Sequence, residues 1–231
     1  MCNKKIKAYQ IYYDESQKDS LMDGFVPYFN EKATVELESG IICDLVNSGE
    51  YSECDYFGVF SWKASEKVRE FNFKRLQSAV INNSDCDVIG PNPKNYIHCA
   101  RRIKSPHTIR FKKHRFMNAF EPLIEKLGIT KNPSDFMTED LKMVYFNYFV
   151  ATPKIYKHFV DSVLNPAISL FKNDKELYKL GMINENYRNQ IPPQSFTEDT
   201  GLNYYPRIPF LLERLINVYI YINDVKVGYV L

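Results

Sequence analysis

Three groupings of polar residues in this 231-residue chain have the types and spacing for chemistry. Asp85-Cys86-Asp87 sets two carboxylates at i and i+2, a pattern that can share a divalent cation with a nucleotide diphosphate. The same residues also read as a solvated turn entering the apolar Val88-Ile89. RRIKSPHTIRFKKHR (101–115) holds seven Lys/Arg, His107 and His114, and no acid. Such a run is either a solvated basic face or a loop that neutralises phosphates, of a sugar nucleotide or of an anionic lipid headgroup. Arg110, Lys112, Lys113 and Arg115 would make those contacts. Glu213-Arg214 sits inside the most regular apolar stripe of the chain. Its carboxylate is a surface group, or one that orients substrate hydroxyls and accepts a proton.

Other chemistries lack their signatures. There is no GxGxxG, GxxxxGK[ST], HExxH or GxSxG. The four histidines, His98, His107, His114 and His158, have no metal-ligand spacing. Five cysteines without a CxxC pair argue against a disulfide framework and a structural zinc site, and point to reduced thiols in a cytoplasm. Lys+Arg 30 against Asp+Glu 28 leaves a net charge of +2, which disfavours a nucleic-acid partner. No apolar run reaches the length of a membrane span, and the opening MCNKKIKAYQIYYDES turns polar too early for a signal peptide. Tyr 17 and Phe 16 predict a core rich in aromatic rings.

These groups need elements to position them. Residues 4–13 read as a buried first strand ended by Asp14, and GFVPYFN (24–30) as a short extended piece held so by Pro27. Residues 34–49 suggest a helix weakened by Gly40. CDYFGVFSW (54–62) is a strand covered on both faces, followed by a helix over 63–83 with Ser65 as N-cap. CDVIGPNP (86–93) is a third strand, completing a βαβ pattern. Residues 94–117 read as loop, and a short helix over 118–127 ends at Gly128. MVYFNYFVAT (143–152) reads as a strand, and Pro153 opens a helix that Pro166 interrupts or restarts. Residues 173–205 read as a surface loop. A helix over 207–223 carries the stripe Ile208, Leu211, Leu212, Leu215 and Tyr219, and VKVGYVL forms an edge strand. The whole is an α/β domain, 1–231, with a mixed, largely parallel sheet flanked by helices.

The ordered set YQIYYDES, GFVPYFN, DYFGVFSWK, CDVIGPNPKNY, FNYFVATPKIYKHFVDSVL and PFLLERLINVYI resembles bacterial glycosyltransferase-like proteins of capsule and surface-polysaccharide clusters. The resemblance runs from about residue 5 to about residue 220. It implies a GT-A-like, Rossmann-related fold that moves a sugar from a nucleotide-sugar donor to a glycan or lipid-linked acceptor, working in the cytoplasm or peripherally at the cytoplasmic membrane face. It implies Tyr12, Tyr13 and Asp14 near the base and ribose, Ser61 and Lys63 near the diphosphate, Asn147 in the pocket wall, and Glu213 with Arg214 on the acceptor side. The wider fold carries Asp-x-Asp where this chain has Ser61-Trp62-Lys63. Mn²⁺ or Mg²⁺ is therefore one reading, with Asp85 and Asp87 as its ligands. The other is metal-independent, with Lys63 standing in for the cation. The rival class is a non-catalytic nucleotide- or carbohydrate-binding module of degenerate transferase fold.

Overall fold

The computed structural model describes residues 4–68, 70–93, 114–130, 142–185 and 191–230. Six strands, β1 (Ile6–Tyr12), β2 (Val26–Phe29), β3 (Tyr56–Ser61), β4 (Val88–Pro91), β5 (Val150–Ala151) and β6 (Val227–Val230), form one sheet in the order β2-β1-β3-β5-β4-β6. Five run in one direction, and only the two-residue β5 opposes its neighbours β3 and β4. The fold is thus α/β with a mixed, mostly parallel sheet covered by helices, compatible with a Rossmann-like arrangement.

Period-two alternation assigns the two faces. Tyr9, Ile11, Phe57 and Val59 join one core with helices α1 (Glu38–Asn47), α4 (His114–Lys126), α5 (Pro153–Phe159) and α6 (Asn165–Asn173). The same core takes α9 (Ile208–Leu212) and α10 (Leu215–Ile222). Ala8, Tyr56 and Phe60 face a smaller core under α2 (Ala64–Lys67) and α3 (Phe73–Asn82). The larger core is aromatic as composition predicts: Tyr156 stacks on Phe149 at 5.2 Å and meets Phe57 edge-on at 4.8 Å. No helix among the described residues is long and apolar enough to cross a membrane.

Several expected elements differ. The helix over 63–83 is two, because the chain breaks at Glu70, with φ +58, and restarts under an Asn72 cap rather than at Ser65. The cap is a real bond: Asn72 Oδ1 accepts from the Arg75 N–H at 2.9 Å. Of the strand over 143–152 only Val150–Ala151 pairs in the sheet. Upstream, the buried Asn217 amide takes both backbone groups of Val144, accepting from its N–H at 2.9 Å and donating to its carbonyl at 3.1 Å. A side chain has replaced the ladder, so the segment is free to turn. The loop over 173–205 contains α7 (Lys175–Gly181) and α8 (Gln194–Thr200). The helix over 207–223 splits at Glu213-Arg214 into α9 and α10. Pro166 falls in the first turn of α6, where the α-helix restarts as expected. A π-helical turn, Val160–Leu164, precedes it. The expected helix over 118–127 begins earlier, at His114, and Gly128 follows it with φ +71. The basic loop before it lies outside the described residues.

Candidate functional site

The chain leaves β1 towards the β2 side of the sheet and leaves β3 towards the β4 side. The carboxyl ends of β1 and β3 therefore flank a topological switch point, where an open α/β sheet offers a crevice. A cleft of about 340 Å³ opens there. Tyr13 enters it from the end of β1, and Ser61, Trp62 and Lys63 from the end of β3. Lys67 follows one helical turn after Lys63. Asn147 arrives at the same edge because β5 runs the opposite way, so the residues before it lie level with the end of β3. Glu213 and Arg214 come from the break between α9 and α10. Glu36, Glu38 and the aromatic rings of Tyr145, Phe146 and Phe196 complete the wall.

The geometry is held by buried polar groups. Gln10, fully buried in β1, donates its amide to the carbonyls of Ser61 (3.4 Å) and Trp62 (3.2 Å) and accepts from the Met22 N–H at 2.8 Å. This clamp fixes where β3 stops. Ser61 Oγ accepts from the Lys63 N–H at 3.2 Å. Tyr148 is buried beside the cleft, and the Lys67 ammonium stands over its ring, 5.4 Å from the centroid. Burial raises the Tyr148 pKa, Glu38 adds to the rise, and Lys67 and Ser61 oppose it. The Tyr13 phenol is likewise pushed well up, first by burial and then by the Glu38 charge. Both rings therefore stay neutral in ordinary buffers, as hydroxyl donors and acceptors.

Glu213 and Arg214 form the charged pair of the opposite wall. Arg214 Nη1 donates to Glu213 Oε1 at 2.7 Å and to the Phe210 carbonyl, and the guanidinium lies 4.8 Å from the Phe146 ring centroid. The Arg214 side chain is 1% exposed and the Glu213 side chain 23%, so the carboxylate is the member that reaches solvent. Two residues of the wall have positive φ without being glycine, Leu37 at +48° and Phe146 at +52°. Strain of this kind collects where a site must be shaped.

Of the residues singled out from the sequence, Tyr13, Ser61, Lys63, Asn147, Glu213 and Arg214 come together in this cleft. Tyr12 does not line it: its ring is buried against Phe29, with centroids 5.2 Å apart. Asp14 is exposed and caps the 3₁₀ turn Glu15–Ser20, accepting from the Ser16 N–H at 2.8 Å, a bond that lowers its pKa. Asp85 and Asp87 precede β4 and lie at the other edge of the sheet, since Val88 is level with Phe57 near the start of β3. There Asp87 Oδ2 accepts from the Lys226 N–H at 3.3 Å, and Asp85 lies 3.9 Å from the Lys226 ammonium. Arg110, Lys112 and Lys113 lie outside the described residues, and Arg115 belongs to the first turn of α4. Sequence reasoning missed Lys67, Glu36 and Glu38. Lys67 had a signal in its i, i+4 relation to Lys63. The glutamates were hidden in the generally acidic stretch 14–54.

A resident divalent cation does not fit this donor set. Among the described residues no three His, Cys, Asp or Glu side chains gather into a metal-sized group. The end of β3 presents Lys63 rather than a carboxylate to the cleft. Compared with known proteins, the chain matches no family model, no curated protein and no solved structure.

Proposed function

We propose that the protein is a glycosyltransferase of GT-A-like, Rossmann-related fold. It moves a sugar from a nucleotide-sugar donor to a surface-glycan or lipid-linked acceptor at the cytoplasmic membrane face. The observation that carries this reading is the convergence of Tyr13, Ser61, Lys63, Asn147, Glu213 and Arg214 in one cleft at the β1/β3 switch point. Cations for a diphosphate, a solvent-reaching carboxylate and apolar rings for sugar and base all meet there.

In this mechanism the donor lies across the ends of β1 and β3, its diphosphate toward Lys63. The acceptor oxygen bonds to the anomeric carbon as the bond from that carbon to the phosphate oxygen breaks. The electron pair leaves on the nucleoside diphosphate, and the acceptor proton passes to Glu213. Arg214 keeps the Glu213 carboxylate in position, and Lys63 offsets the charge that develops on the leaving group. A binding module without turnover is the second reading, favoured by the basic rather than acidic end of β3.

A thermal-shift screen of nucleotide sugars tests the donor site, and product formation with lipid-linked acceptors tests the chemistry. A bound donor at 100 times its Kd adds about 2.7 kcal/mol of stability. A stabilising donor with turnover supports the transferase, and one with no turnover by any acceptor supports the module. A broad panel without any shift sinks both.

A further inference from the structure

The cleft carries a fixed counter-charge where transferases of this general plan use a mobile one. Building on the transferase reading, we propose that Lys63 and Lys67 together bind the donor's diphosphate directly, without a bridging divalent cation, and that Tyr148 holds Lys67 in place for it. Lys63 and Lys67 are four apart on one helical face and both line the cleft beside the end of β3. Two ammoniums supply about the charge of one divalent ion, and each offers three donors with little demand on geometry. The Lys63 ammonium stands 4.7 Å from the Trp62 ring centroid and has no carboxylate partner among the described residues. Two of the three glutamates in the wall are committed elsewhere, Glu36 to Lys172 at 3.5 Å and Glu213 to Arg214 at 2.7 Å.

Lys67 is positioned by its surroundings. Its ammonium lies over the Tyr148 ring, 5.4 Å from the centroid, a cation–π contact. Ser61 accepts from the Lys63 backbone. The Ser61 hydroxyl thus fixes the Lys63 backbone at the end of β3, and the Tyr148 ring holds Lys67 beside it. Charge-assisted bonds made by donors fixed in advance are the stronger kind, because little ordering remains to be done on binding.

The test is calorimetric titration of the full chain with UDP, GDP, CDP and ADP, in EDTA and then in Mn²⁺ or Mg²⁺. The expected result is one diphosphate that binds in EDTA within about twofold of its affinity with metal. Lys63→Gln and Lys67→Gln each weaken it by about tenfold or more, and more steeply at low salt. Tyr148→Leu, which removes the ring, lowers affinity in the wild-type background but adds nothing to Lys67→Gln, the coupling expected of a positioning residue. Melting of each variant without nucleotide confirms that it folds, and Lys63→Arg restores binding if a variant with Gln does not fold. Binding that requires the metal overturns this inference and leaves the transferase reading in place. Binding in EDTA that the lysine variants do not alter overturns the assignment of the two lysines. No binding of any diphosphate in either buffer overturns both.

Discussion

Glu213 and Arg214 occupy a two-residue break in what would otherwise be one apolar helix, and the break brings both to the cleft wall. The pair is unequal: the arginine is buried and held by a backbone carbonyl as well as by its partner, whereas the carboxylate keeps an open side. Glu213→Gln preserves the shape and one acceptor oxygen but removes the charge that compensates a buried guanidinium. The expected loss of stability is about 1–3 kcal/mol, below that of deleting one partner of a fully buried pair. The expected loss of turnover is larger, about 10²–10⁴-fold per folded molecule, because a proton acceptor is gone. Melting and sugar transfer measured on the same preparation separate the two. Near-native turnover would remove Glu213 from the chemistry and leave it as the partner that neutralises Arg214.

At the scale of elements, the cleft depends on β5 lying close against β3, and a glycine permits it. A Cβ on Gly58 would meet the Phe149 carbonyl oxygen at 2.6 Å and Val150 Cγ1 at 2.7 Å. Gly58→Ala must push β5 away, at a cost of about 1–3 kcal/mol, read as a lower urea midpoint. Because Asn147 and Ser61 ride on these two strands, nucleotide affinity should fall with it. An alanine variant within about 0.5 kcal/mol of wild type would show that the strands are not so tightly opposed. The strands and their boundaries were largely legible, since Ile11, Phe57, Val59 and their neighbours follow the period of a pleated sheet. What escaped reading is where side chains, rather than periodicity, decide the backbone. Asn217 clasps Val144 from 73 positions away, so that of 143–148 it is Tyr145 that still reaches the sheet, through the Pro91 carbonyl. Nothing local to MVYFNYFVAT announces that partner. The Glu213-Arg214 break was equally hidden, because apolar residues on both sides continue the helical spacing. Tyr13, Ser61 and Lys63 were found at strand ends that can be read from sequence, while Asn147, Glu213 and Arg214 were joined to them by the family resemblance. Lys67 and the two glutamates were missed because the turn that gathers them is a tertiary product.

For the whole molecule, a net charge of +2 conceals a basic run at 101–115. If the acceptor is lipid-linked, that run faces anionic headgroups, each Lys or Arg near the surface contributing about 1 kcal/mol. Reversing charge at Arg110, Lys112, Lys113 and Arg115 should abolish co-sedimentation with phosphatidylserine vesicles at low salt, while leaving binding to soluble nucleotide unchanged. Equal sedimentation of variant and wild type would return the run to a solvated face. The order of the strands also governs how the protein is made. β5 is two residues long, and among the described residues it alone joins β3 to β4. Until Val150 and Ala151 have been translated, the inner edge of β3 has no hydrogen-bonding neighbour, although all six of its residues are destined for burial. About ninety residues separate the two strands, roughly 5–18 s at usual ribosome speeds. Throughout that interval the nascent chain displays an apolar, unpaired strand edge of the kind on which other chains nucleate aggregates. A holdase acting during elongation through residues 62–149 should therefore raise the yield of native protein more than one added after release, and equal yields would show that the exposed edge is harmless.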